Sequence, residues 1–367
     1  MSAHRCVIGR LLSFTLTAAA TLLLLAGCRA GSQEKASLRV LFAGSLIIPF
    51  EQLEKEFEAS HPHIDVNMEG HGSIQVIRHV SDLHEQADLI VTADHNLIPM
   101  LLYSVADPQT NRPYADWYVI FATNEMAIAH TATGAFVNEL SADNWPEIIN
   151  RDGVRLGIAD PRLDANGYRA LMTIDLAESA LGRPRLFQDT FGDQFRVPLS
   201  VSHAGGVDLI KVPEILETKK DAHIVVRPYS VQLLPLLQSG EIDYAFEYVS
   251  VIKQHRLQYV ALASEINLSE PSLADAYGRV EVALDFQRFA SVKPRFRGEP
   301  IRYAVTIPSN ARHPDAAATL LAYLLGPEGQ RIMAENYQPM ISPALADNLQ
   351  AVPEAVKALC RPLPQTD

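Results

Sequence analysis

Leu38-Arg-Val-Leu-Phe-Ala-Gly-Ser45, continuing as Leu46-Ile-Ile-Pro-Phe-Glu-Gln-Leu-Glu-Lys-Glu-Phe57, decides the fold. The short apolar run from Leu38 to Phe42 reads as a buried strand of a parallel sheet. Ala43-Gly44-Ser45 is a small-residue turn. Phe50, Leu53 and Phe57 then recur at helical spacing, with Glu51, Glu54, Lys55 and Glu58 on the wet side. A turn of this kind, between the carboxyl end of a strand and the start of a helix, presents backbone N–H groups and a hydroxyl. Open α/β sheets bind ligands at that place, anions above all. Ser45 read alone is equally an ordinary helix cap.

The pattern recurs downstream. Ile64-Asp-Val-Asn-Met68 alternates like a strand, Gly70-His-Gly-Ser73 makes a second glycine–serine turn, and Val76, Ile77, Val80 and Leu83 form a helical apolar face. Asp88 to Ala93 is a third strand, ending at Asp94. Right-handed crossovers place both serine turns at one sheet edge. Val119 to Ala129 is too long and apolar for one edge strand and reads as a chain crossing between lobes. Arg155 to Ala159 is a strand, Asp160 to Arg169 a loop, and Ala170 to Leu181 a helix. Val231 to Leu237 is a short apolar helix stopped by Gly240. Glu241 to Tyr248 is a strand whose last two residues, Glu247 and Tyr248, reach the same edge. Lys293 to Pro300 reads as a loop, Ile301 to Ile307 crosses back, and His313-Pro314 opens a helix through Leu325.

The ends bound the compartment. Arg5 and Arg10, then the apolar stretch Leu11 to Leu25, then Leu25-Ala26-Gly27-Cys28, have the order of an export leader, and the last four residues resemble a bacterial lipobox. Residues 1–27 are therefore expected to be removed, Cys28 lipidated, and residues 28–37 left as a tether to the membrane. Loss of the two arginines takes the formal charge from −12 to −14, which argues against nucleic acid as a partner. Of three cysteines only Cys360 remains free, so no disulfide forms within the mature chain. About 340 residues remain, enough for two lobes with separate cores. The expected fold is α/β: a two-lobed clamshell of the type II periplasmic-binding-protein kind, with two crossing strands as hinge. Residues 38–118 and 303–350 form lobe 1, residues 119–302 lobe 2, and the proline-rich segment 351–367 a wrapped tail.

Several separated motifs carry a resemblance to a known family: Phe42-Ala-Gly-Ser45, Gly72-Ser73, Tyr114-Ala-Asp-Trp-Tyr118, Asp164-Ala-Asn-Gly-Tyr-Arg169 and Asp243-Tyr-Ala-Phe-Glu-Tyr-Val-Ser250. In order and spacing they resemble the periplasmic molybdate and tungstate-binding proteins of ABC importers, closest to the branch, common in archaea, that coordinates tungstate octahedrally. The resemblance implies oxo-group contacts at Ser45 and Ser73, metal-coordinating carboxylates at Asp164 and Glu247, and a ligand-contacting Tyr248. It implies an extracytoplasmic, lipid-anchored monomer that hands its oxyanion to a membrane permease, with no catalysis and no cofactor. Ala165-Asn166 departs from the Pro-Cys that the motif carries.

The chemistry is coherent from below. Carboxylates beside a bound dianion repel it in a low dielectric. A tungsten(VI) or molybdenum(VI) centre can accept further oxygen ligands, so each carboxylate becomes a ligand instead. Glu247 in an apolar strand is hard to explain otherwise, since buried unpaired carboxylates are rare. Asp164 is equally a capping residue, and Arg169 either neutralises a carboxylate or forms a structural salt bridge. Two other readings stay open: a binding protein for sulfate, phosphate or an iron complex, and an exported metal-dependent hydrolase using His61, His63, His71, His79, His84 and His95. No nucleophile elbow supports the hydrolase, and these histidines are expected to face solvent.

Overall fold

A computed structural model describes residues 35–285 and 294–364. The expected leader (1–27), Cys28 and most of the tether lie outside the described residues. No helix among the described residues is long and apolar enough to cross a membrane.

Two open mixed sheets organise the chain, and each owes its order to strands that bury both faces. The first has seven strands in the order Cys360–Pro362, Met340–Ala346, Val119–Thr123, Arg302–Thr306, Leu89–Thr92, Ala36–Ala43 and Ile64–His71. The opening strand runs parallel to Leu89–Thr92, with Val40 opposite Leu89, as a doubly wound sheet requires. The returning strand Arg302–Thr306 inserts antiparallel between Leu89–Thr92 and Val119–Thr123. Helix Ile47–Ser60 covers this sheet with Pro49, Phe50, Leu53 and Phe57, and helix Ser73–Ser81 with Ile74, Val76, Ile77 and Val80.

The second sheet has five strands in the order Gln258–Ala261, Met126–His130, Tyr244–Tyr248, Leu156–Ala159 and Ile224–Arg227. The last three run parallel, so the segments leaving their carboxyl ends gather on one edge. Those segments carry Asp164, Ser230 and Glu247 with Tyr248. The architecture is the expected α/β clamshell, and the apolar run from Val119 splits into two strands, one in each sheet, joined by Asn124-Glu125. Strand Val119–Thr123 thus pairs within the first sheet, although the lobe 2 boundary was expected at 119.

Three local expectations are corrected. The helix after Asp164 begins at Ala165, not Ala170, because Asp164 caps it by accepting a hydrogen bond from the Asn166 amide. Gly167 does not break its first turn; a Cβ there would lie 2.5 Å from the Ala159 carbonyl oxygen, so glycine lets the helix press against the strand end. Residues Arg295–Arg297 form a strand rather than loop, at the edge of a third, four-stranded sheet with Val280–Leu284, Val207–Val212 and Ser200–Ala204. The segment after 351 is not merely wrapped: it holds helix Glu354–Lys357 and strand Cys360–Pro362, which pairs parallel with Met340–Ala346. The third sheet packs on helix Ala165–Ala180, where Phe296 stacks on Tyr168 with ring centroids 4.2 Å apart. That helix is buried almost all round, which accounts for its weak amphipathic pattern.

The turns at the ends of the two main sheets meet across a closed cleft. The Ile74 and Gln75 amides, at the start of the Ser73 helix, both donate to the Leu163 carbonyl from the second sheet's edge, at 3.1 and 3.3 Å. Gly72 is what allows this approach: a Cβ there would lie 2.4 Å from the Leu163 oxygen and 3.2 Å from the Asp164 Cα. Gly72→Ala is therefore expected to leave both sheets folded while holding the cleft open, costing about 1–3 kcal/mol of closure. Small-angle scattering is expected to show a larger radius of gyration at unchanged far-UV dichroism; identical scattering curves would refute the packing argument.

Candidate functional site

Asp164 and Glu247 are brought together by a residue between them, Ser230. Its backbone N–H donates to Asp164 Oδ2 at 2.9 Å and its hydroxyl donates to Glu247 Oε1 at 3.0 Å. Asp164 Oδ1 accepts the Asn166 amide at 3.0 Å, so both of its oxygens are engaged in building the turn. Glu247 Oε1 also accepts the Tyr248 amide at 2.8 Å and the Asn166 side-chain amide at 3.4 Å. Glu247 is 0% exposed, and its Oε2 has no hydrogen-bond partner. Asn166 Oδ1 beside it is likewise buried and unpartnered. A buried carboxylate oxygen left bare is costly unless a ligand or a proton occupies it.

The electrostatics follow from that burial. Burial pushes Glu247 up to about 8; the Tyr248 amide and Ser230 hydroxyl oppose the rise, and the Asp164 charge adds to it. Burial pushes Asp164 up to about 6, against its hydrogen bonds from Asn166 and Ser230 and the nearby Arg169 charge.

Across the cleft stand the two serine turns. Ser45 is buried, and its hydroxyl bonds the Tyr303 hydroxyl at 2.8 Å. Tyr303 in turn accepts from the Asn124 side chain at 3.1 Å and packs edge-on against Tyr248. Ser73 is buried at the first position of its helix, and its Oγ accepts the Ala93 amide at 2.9 Å. The turns contact the carboxylate side directly: Gly44 faces Tyr229 and Val231, which flank Ser230, while Gly72 abuts Leu163 and Asp164. All five expected residues, Ser45, Ser73, Asp164, Glu247 and Tyr248, thus converge on the closed cleft.

Arg169 forms the structural salt bridge, with Asp94 and not with Glu247. It is 2% exposed, donates to the Tyr248 hydroxyl at 2.8 Å and the Ala93 carbonyl at 2.7 Å, and sits 3.6 Å from Asp94 Oδ2. It spans the cleft, fixing Tyr248 on one side and the end of strand Leu89–Thr92 on the other. Asn124, in the crossing, bonds Ser250 and Tyr303, tying the hinge to both walls.

Ser230, Asn166, Tyr303 and Asn124 were not singled out from the sequence. Ser230 had a legible signal, since Ile224-Val-Val-Arg227 followed by Pro228-Tyr-Ser230 and an apolar helix repeats the strand–turn–serine–helix order of Ser45 and Ser73. The histidines do not pool into one site. His61 stacks on Phe57, His71 on His79, and His84 bonds Tyr114, while His95 stands apart.

The comparisons with known proteins agree with this architecture. The family model for the bacterial extracellular solute-binding protein matches residues 38–337. The chain belongs to that family. It is a solute-binding component of transport, not an enzyme. Among its relatives is a molybdate/tungstate-binding protein, WtpA, of Thermococcus kodakarensis, 37% identical over 348 residues covering 91% of this chain and 92% of the relative. The protein of the same name from Pyrococcus abyssi is 34% identical, covering 95% of this chain and 98% of its own. The periplasmic molybdate-binding protein of Azotobacter vinelandii shares the fold, with a TM-score of 0.50 at 14% identity over 82% of this chain and 98% of that one.

The raised carboxylates make stability depend on pH in a definite direction. A carboxyl whose folded pKa, about 8 for Glu247, exceeds its ordinary 4.5 holds its proton longer in the folded than in the unfolded chain. Folded stability therefore falls as pH rises from about 4.5 to 8 and levels off above, and Asp164 adds the same sign at lower pH. In the ligand-free protein, Glu247→Gln is expected to flatten this decline and raise stability at pH 8. Urea unfolding at pH 5 and pH 8 measures it, and a decline unchanged in the variant would show that Glu247 is not the group titrating.

Proposed function

We propose that this protein captures tungstate or molybdate in the cleft between its two main sheets and delivers it to an ABC permease. The observation that carries the reading is the bare, buried Glu247 Oε2, one wall away from the serine turns and one serine away from Asp164. A simple tetrahedral dianion such as sulfate would meet repulsion from these carboxyls unless they were protonated. A tungsten(VI) or molybdenum(VI) centre accepts Glu247 and Asp164 as added ligands, while Ser45 and Ser73 donate to oxo groups and Tyr248, held by Arg169, lines the pocket. The names borne by the archaeal relatives support this choice of ligand.

On this reading the two sheets are the lobes. The first comprises residues 36–123 with the returning chain from 302, its carboxyl-terminal strand included, and the second the residues between. The hinge lies at Asn124-Glu125 and near Ile301. The protein acts as a monomer, exported by its leader and held to the membrane through lipid on Cys28.

Coordination separates the roles of the two walls. Glu247→Gln is expected to weaken tungstate far more than any residual sulfate binding, because an amide oxygen is a poorer ligand for a high-valent metal than a carboxylate. Ser45→Ala and Ser73→Ala are each expected to cost about 1.5–3 kcal/mol, the worth of a hydrogen bond to a charged group. Titration calorimetry with both anions decides it: equal losses for tungstate and sulfate in Glu247→Gln would sink the coordination reading.

A further inference from the structure

Away from the paired carboxylates, three side chains converge where the returning chain enters the first sheet. Asp94 and His95 follow strand Leu89–Thr92, and Glu299 lies just before strand Arg302–Thr306. The His95 amide donates to the Arg302 carbonyl at 3.1 Å, which holds the two segments in register. His95 is buried, and its Nδ1 has no hydrogen-bond partner. That nitrogen lies 3.4 Å from Glu299 Oε1 and 3.8 Å from Asp94 Oδ1, and all three ligand atoms fall within 4.8 Å of one another.

We propose that Asp94, His95 and Glu299 form a structural site for a divalent transition-metal ion, of which zinc is the representative, distinct from the oxyanion pocket.

The distances fit such an ion. A tetrahedral centre with bonds of about 2.1 Å separates its ligand atoms by about 3.4 Å, close to the two measured edges. One imidazole and two carboxylates, completed by water, are donors that zinc accepts. Burial pushes His95 down to about 4, so its ring is neutral at pH 7 and keeps a lone pair for a metal. Two carboxylates crowd the buried imidazole nitrogen, a crowding that a cation relieves. The surrounding bonds orient the donors as an outer shell does: the Asn96 amide donates to Asp94 Oδ1, the Asn96 side chain to Glu299 Oε1, and the Tyr168 hydroxyl to Asp94 Oδ2. Arg169 approaches that second oxygen of Asp94 at 3.6 Å, while Oδ1 lies 3.8 Å from His95 Nδ1. Bound metal would pin the returning strand to the loop after Leu89–Thr92, beside the hinge.

The test uses the full chain, stripped with chelator and then titrated with Zn²⁺ by calorimetry and with Co²⁺ by visible absorption. One ion per chain is expected, with the d–d bands of a four-coordinate cobalt site and X-ray absorption showing a single imidazole among oxygen donors. Loss of a direct ligand should exceed the roughly 10–100-fold cost of losing an outer-shell partner, so His95→Ala should weaken zinc by more than that. Glu299→Gln, which keeps the side-chain shape, should weaken it in the same direction, whereas His79→Ala should not. Circular dichroism confirms that each variant folds, and if His95→Ala does not, Glu299→Gln decides alone. No zinc bound by the wild-type chain would overturn the proposal and leave His95 and Glu299 as a buried pair sharing a proton. Zinc binding that survives in the folded variants would place the ion elsewhere and overturn it equally.

Discussion

Glu247 carries a carboxylate oxygen that nothing in the protein satisfies, and much of the second sheet's edge exists to keep it there. Its strand is buried on both faces, its other oxygen is held by Ser230, the Tyr248 amide and Asn166, and its neighbour is a second buried carboxyl, Asp164. Left ionised and unpaired, such a group would cost more than a domain of this kind can spare. Burial raises the pKa to about 8, so at neutral pH the group carries a proton instead of a bare charge.

That arrangement depends on topology before it depends on any one side chain. Three parallel strands end on the same edge of the second sheet, and each is followed by a turn that delivers a polar residue: Asp164, Ser230, and Glu247 with Tyr248. The first sheet answers with two turns of its own at Ser45 and Ser73. Glycine marks the points of nearest approach, Gly72 between the walls and Gly167 beneath the Asp164 helix. The third sheet covers the helix that carries Asp164 at its cap and Arg169 in its second turn. A helix buried through its first turns is what allows one arginine to fix Tyr248 and reach across to Ala93 at once.

The sequence made the serine turns, the two crossings and the unusual Glu247 legible because each rests on a local pattern: apolar strand, small-residue turn, amphipathic helix. It hid what depends on contacts between distant segments. Ser230 looked like the start of a short helix because nothing local announces that its amide and hydroxyl serve two different carboxyls. The helix start at Ala165 was obscured by Gly167, whose conformational freedom suggests a loop when its real role is close packing. The strands of the third sheet were missed because Ser200–Ala204 is largely exposed and Arg295–Arg297 is only three residues long. Strand Cys360–Pro362, in a proline-bearing tail, pairs only because Met340–Ala346 offers it an edge.

Closure and charge are linked through the same residues. The contacts that hold the cleft shut in this structure mix neutral and charged groups: two amides on the Leu163 carbonyl and Gly72 against Leu163, then Arg169 on the Ala93 carbonyl and beside Asp94, with the Tyr168 hydroxyl on Asp94. These are polar contacts that water can replace when the cleft opens. On the proposed reading, an oxyanion enclosed by the cleft meets Glu247 as a protonated carboxyl, not two fixed charges, since burial holds that group at about 8. The repulsion that a chain of formal charge −12 would otherwise present is removed locally, where it matters. Coordination then replaces the proton on Glu247 by a bond to the metal, so selectivity resides in which ligand can displace a proton and not in overall attraction for anions. An anion without coordination sites to offer would have to leave that proton in place and accept a single hydrogen bond from it, a weaker use of the same oxygen.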